Sequence, residues 1–249
     1  MLDRLERGFN QQQRFVSDAS HELRTPVTVI LGYSDLLARW GRSDAKILEE
    51  GITSIRSEAE DMQDLIEKLL FLARADQKRQ ILHKDFVHLD ELVDDAVRKM
   101  KLVAKEHTVQ IAVNEPGIIY ADPATMRQMM RIFLENAVKY TPAGGHIAVS
   151  SRRLPEKGCM ELTFADDGIG IAQEDKDKIF ERFYRADSAR TKKAGSIGGT
   201  GLGRSIASWI AEQHEIEIAV ESELDKGTKF ILTIPLAEDD ESDTSDKEG

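Results

Sequence analysis

The chain has 249 residues, 41% of them hydrophobic and 32% charged, enough for one large domain or two modest ones with real cores. Its formal net charge of −11 argues against general nucleic-acid binding, because a phosphate backbone would be repelled. Part of that charge is local: Glu238, Asp239, Asp240, Glu241, Asp243, Asp246 and Glu248 stand against Lys247 alone, so residues 238–249 are expected to be a disordered tail.

Residues 1–80 read as two long helices. In the second, Leu48, Ile52, Ile55, Ala59, Met62, Ile66, Leu69 and Ala73 are spaced alternately four and three apart, a heptad seam. The first carries the same rhythm through Gln12, Val16, Ala19, Leu23, Pro26, Ile30, Tyr33 and Leu37. Gly41 to Asp44 forms a turn, with Ser43 or Asp44 as cap. Two such helices cannot enclose a core, so a dimeric four-helix bundle is expected.

Residues 76–84 are polar and read as a linker. Beyond them the pattern mixes helices at 89–101, 123–140 and 202–212 with strands at 107–113, 146–153, 160–165, 216–222 and 228–235. This is an α+β order without regular βαβ alternation. Cys159, the only cysteine, permits no internal disulfide and is expected to be a buried structural thiol rather than a nucleophile. No apolar run reaches membrane-spanning length, so the stretch is expected to be soluble.

With Val16 at heptad position a and Ala19 at d, His21 falls at f, away from the seam. Glu22 is adjacent and Thr25 lies one turn along the same face. Pro26 frees the Glu22 carbonyl and is expected to bend the helix there. Imidazole with one deprotonated nitrogen is a nucleophile near neutral pH, and a neighbouring carboxylate can take the other nitrogen's proton. A zinc-protease helix would need a second histidine where Thr25 stands.

Three further stretches suit a nucleotide. In Phe133–Thr141, Asn136 offers a carbonyl oxygen to Mg²⁺, Lys139 a phosphate partner and Tyr140 an aromatic wall. In Asp166–Ile171, Asp166 at a strand end can accept the amine of adenine, with Gly168 and Gly170 admitting close backbone. Gly198–Gly203 precedes a helix, whose N-terminus favours anions. It is neither a P-loop nor a Rossmann turn. Between the last two, Ala186–Ile197 carries Arg190, Lys192 and Lys193 and reads as a basic lid.

Taken in order, these segments resemble the sensor histidine kinases of two-component signalling. Phe15–Pro26 resembles that family's H box, Phe133–Thr141 its N box and Asp166–Ile171 its first glycine box. Ile179–Arg185 resembles the F box and Gly199–Gly203 the second glycine box. The resemblance covers roughly residues 10–236. It implies a phosphotransfer and dimerisation domain over 1–80, then a Bergerat-type ATP-binding α/β sandwich over 81–237. Under it His21 is the phosphoacceptor, Glu22 its acid/base partner, and Thr25 a helper in dephosphorylating a response-regulator receiver domain. The nucleotide set becomes Asn136 (also the Mg²⁺ ligand), Lys139, Tyr140, Asp166, Gly168, Gly170, Lys192, Lys193, Gly199, Thr200, Gly201, Leu202, Gly203 and Thr228. It further implies a homodimer at the cytoplasmic side of a membrane reached through segments outside this stretch. Because His21 faces outward, the ATP-binding domain must swing across the linker to reach it.

Two positions depart from the family pattern. Ile132 stands where a second asparagine is usual, and Arg204 where a leucine follows the second glycine box; the arginine can snorkel outward or reach an acidic neighbour. Two other readings compete. One is a nucleotide-gated interaction module with little kinase activity, motivated by these departures. The other is a topoisomerase- or chaperone-type ATPase, which needs neither the H box nor the heptads.

Overall fold

The computed structural model describes residues 2–41, 43–185 and 199–237, with side chains from residue 12 onward. The acidic tail and the basic stretch with Arg190, Lys192 and Lys193 lie outside the described residues. The chain divides into two compact units: residues 1–80 with 199–203, and residues 81–198 with 204–249.

The first unit is a helical hairpin of α1 (Leu2–Trp40) and α2 (Ala45–Asp76). The Asp44 carboxylate caps α2, accepting from the Lys46 and Ile47 amides at 2.9 and 3.3 Å. A Cβ at Gly51 would stand 2.7 Å from Leu37, so glycine allows the two helices to approach near the turn. α1 continues as helix through Pro26, which is buried. The apolar stripe is broader than one seam. Gly51, Leu65, Leu72 and Ala75 are the buried positions of α2. Val16, Leu48, Ile52 and Ile66 of the expected seam stay 58, 43, 55 and 43% exposed. A single hairpin has one inner face, and it takes only part of the stripe.

The second unit contains β1 (Asp85–His88), α3 (Leu89–Val103), β2 (Thr108–Asn114), β3 (Ile118–Ala121) and α4 (Pro123–Tyr140), in that order. It continues with β4 (His146–Leu154), β5 (Cys159–Asp166), α5 (Gly203–Gln213), β6 (Glu217–Glu223) and β7 (Gly227–Pro235). Five strands form a mixed sheet in the order β2-β4-β5-β7-β6, with β2 parallel to β4 and the other pairs antiparallel. β1 and β3 form a separate antiparallel ribbon. α3 and α4 lie against β2, β4 and β5. Phe133 of α4 fastens that layer, stacking on Phe164 of β5 at 5.4 Å and meeting Phe230 of β7 at 4.9 Å. Burying each ring contributes roughly 1.5–3 kcal/mol.

Cys159 differs from expectation. It opens β5 at the sheet's end, beside the left-handed Gly158, and is half-exposed, with Sγ 3.2 Å from the Lys157 carbonyl.

Candidate nucleotide site and phosphoacceptor helix

α4 begins at Asp122, which is 5% exposed. Its Oδ1 accepts from the Ala124 and Thr125 amides, both at 2.9 Å, and its Oδ2 from the His83 amide at 2.7 Å. These bonds outweigh burial and hold the carboxyl below its ordinary range. The Asp122 amide in turn donates to Nε2 of buried His214, whose Nδ1 donates to the Ile210 carbonyl. That arrangement requires neutral imidazole, and burial pushes its pKa down. Met126, Met129, Met130, Phe133, Leu134 and Ala137 form the buried face of α4. Asn136, Lys139 and Tyr140 are half-buried on a second face near its C-terminus. Lys139 Nζ lies 5.2 Å from the Tyr140 ring centroid. Ile132 is 5% exposed and belongs to the core.

The end of β5 is held against the end of α4. The Ile169 amide donates to the Tyr140 carbonyl at 3.1 Å, and a Cβ on Gly168 would come within 2.4 Å of that oxygen. Gly170 has φ +68°, where a Cβ would strike the Glu223 carbonyl at 2.0 Å; Gly227 has φ +107°, where it would strike the Asp166 carbonyl at 1.9 Å. These close approaches require glycine. Asp166 Oδ1 accepts from the Gly168 amide at 3.0 Å and the Thr228 amide at 3.3 Å. Burial nevertheless pushes its pKa up to about 6, against those two bonds. Thr228 faces Asp166 across β5–β7, and its hydroxyl lies 3.0 Å from Ser222 Oγ. Ser222 also accepts from the Ile171 amide and donates to the Gly227 carbonyl.

The structure therefore brings Asn136, Lys139 and Tyr140 on α4 into one unit with Asp166, Gly168, Gly170 and Thr228, the latter four around the ends of β5 and β7. The glycine stretch reaches Gly201 at φ +70°, fully buried Leu202, and Gly203 as the first residue of α5. Arg204 departs from both expectations: it is 8% exposed and is not ion-paired to a carboxylate among the described residues. Burial lowers its pKa, opposed by Tyr140 and Tyr184. Sequence reasoning missed Gly227 and Asp167. A glycine directly before a strand was the available signal for the first. Asp167 Oδ1 accepts from the His146 amide at 2.7 Å, while Oδ2 meets His146 Nδ1 at 3.0 Å; nothing in the sequence marks that pair.

In the helical unit His21 and Thr25 are exposed, Glu22 and Leu23 are half-buried, and Pro26 is buried.

A mixed sheet under helices, with a half-buried aspartate and two close-packed glycines at a strand end, defines a nucleotide-binding ATPase fold preceded by a histidine-bearing hairpin. Residues 121–238 match the family of histidine kinase-, DNA gyrase B- and HSP90-like ATPases, and residues 11–78 match the His kinase A (phospho-acceptor) domain. The signal transduction histidine-protein kinase ArlS of Staphylococcus aureus (strain USA300) is 36% identical over 231 residues, which is 92% of this chain and 50% of ArlS. The chain spans about half the length of the curated relatives it matches. Among solved structures, the Acinetobacter baumannii histidine kinase AdeS aligns with TM-score 0.66 at 20% identity, over 87% of this chain and 98% of that one. Full-length ShkA in complex with AMPPNP aligns with TM-score 0.64 at 25% identity, over 90% and 46%. The chain belongs to the sensor histidine kinases of two-component signalling.

Proposed function

We propose that this chain is the catalytic part of a protein-histidine kinase that phosphorylates His21 with ATP and passes the phosphoryl group to an aspartate of a response regulator. The observation that carries the reading is His21 itself, exposed on a helix whose Pro26 is buried and whose Leu23 is half-buried. An imidazole nitrogen of His21 attacks the γ-phosphorus, forming an N–P bond. The bond to the β,γ-bridging oxygen breaks, and ADP leaves with that electron pair. Glu22 takes the proton from the other ring nitrogen. In the reverse direction, Thr25 orients a water to dephosphorylate the same partner.

The free edge of the Asp166 carboxylate suits the exocyclic amine of adenine, since both backbone donors reach Oδ1. Thr228 lies beside it, and Gly168 and Gly170 shape the backbone there. Asn136, Lys139 and Gly199–Gly203 would serve the phosphates, with Tyr140 as a wall. Among the described residues no three His, Cys, Asp or Glu side chains cluster as a metal cage. A single Asn136 carbonyl therefore suits Mg²⁺ held mostly by phosphate and water, where it would neutralise phosphate charge. ShkA with AMPPNP bound supports the nucleotide assignment.

The apolar residues left exposed on the hairpin support a homodimer closing a four-helix bundle. The relatives' greater length fits a membrane-anchored sensor beyond this stretch. Among the described residues no helix is long and apolar enough to cross a membrane.

Incubation with γ-labelled ATP and Mg²⁺ tests the reading. Acid-labile, base-stable label on the chain and none on His21→Gln is expected. Label on neither, with nucleotide still bound, would favour the nucleotide-gated module.

A further inference from the structure

Among the described residues, Arg204 is a buried cation without a carboxylate partner. Arginine is almost never this buried unless paired, because desolvating an unbalanced charge is costly. Among the described residues, the ionisable groups that act on it are the phenols of Tyr140 and Tyr184. Neither is a carboxylate. The Tyr184 hydroxyl donates to Asp175 Oδ1 at 2.6 Å.

Its place on the helix adds to the cost. Arg204 is the second residue of the eleven-residue α5, where the helix end already carries partial positive charge and a cation is disfavoured. Two positive features therefore coincide at the start of α5, within electrostatic reach of Tyr140, the last residue of α4. An anion arriving there would relieve both, and a guanidinium fork matches two phosphate oxygens at once.

We propose that Arg204 is a phosphate-binding group of the nucleotide site, its guanidinium engaging the polyphosphate of a bound adenine nucleotide beside Tyr140. The inference rests on the reading of this unit as an ATP site. It assigns to α5 a fixed charge that the leucine usual at this position cannot provide.

Calorimetric titration of the full chain with ATP and with adenosine separates the possibilities. Arg204→Leu is expected to weaken ATP binding about tenfold or more, in keeping with a lost charge-assisted bond, while adenosine affinity is unchanged. Arg204→Lys should fall between the two, because it keeps the charge and loses the fork. The melting temperature of nucleotide-free Arg204→Leu should rise, since an unpaired buried charge has been removed. Equal loss of ATP and adenosine affinity would make Arg204 a structural residue and overturn the proposal, as would unchanged ATP affinity. Should Arg204→Leu fail to fold, the ATP-to-adenosine ratio of Arg204→Lys decides by itself. Wild-type chain that binds neither ligand would instead overturn the ATP-site reading.

Discussion

In the proposed adenine contact Asp166 would have to be ionised where burial favours the acid. Its folded pKa is raised from 3.8 to about 6, so between those values the native state holds a proton the unfolded chain has released. Ionising it therefore costs stability as pH rises through about 6. Nucleotide binding runs the other way, because the carboxylate is the form that accepts an amine. Below pH 6, ATP affinity should fall toward about tenfold per pH unit, whereas Asp166→Asn should bind weakly with little pH dependence. Titrations between pH 5 and 8 check this, and a flat wild-type profile would remove Asp166 from adenine recognition. At this scale, residue types were legible and environments were not. A strand-end Asp-Asp-Gly points to an acceptor, but its surroundings include the Thr228 amide on β7, distant in sequence. Arg204 shows the same limit: a side chain read as reaching solvent or an acid is buried and meets no carboxylate among the described residues.

Among the elements, those with strong periodicity or plain caps were readable. α4 starts and ends where Asp122-Pro123 and Thr141-Pro142 say it should. β1 and β3 escaped notice, being four residues each and stabilised by pairing with one another rather than by a pattern of their own. On α2 the buried Gly51, Leu65 and Leu72 each precede a seam position by one residue, while Ile55, Met62 and Leu69 of the seam are part-buried, because periodicity reports that a helix has an apolar stripe and not which edge of it a given partner covers. The turn after β5 offers the test for this scale. Gly170→Ala would place a methyl against the Glu223 carbonyl in a left-handed conformation. A stability loss of at least about 2 kcal/mol is expected in denaturant unfolding, together with weakened nucleotide binding. A neutral outcome would mean the turn can relax.

For the whole molecule, the exposed stripe on the hairpin predicts association. The chain should sediment as a dimer, and Ile52→Asp, at a position 55% exposed in the single hairpin, should shift it toward monomer. Monomeric wild type at micromolar concentration would remove the bundle from the proposal. Both families of domain were legible from ordered motifs, while the division of labour between the hairpin's two apolar edges was not, since that depends on a second copy.

The junction between the units is shorter than its polar sequence suggests. Past the end of α2, the Arg79 amide still bonds the Arg74 carbonyl at 2.9 Å, with Lys78 at φ +54°. His83 is already tied to Asp122, and Lys84 Nζ to the Gln213 carbonyl at 2.6 Å. Only Gln80, Ile81 and Leu82 stand between these anchors. Three residues span at most about 10 Å, which bounds the length of free chain between the two anchored ends. Inserting flexible residues at Ile81 lengthens only this joint, so calorimetric titration of such a variant should return the nucleotide affinity of the unaltered chain.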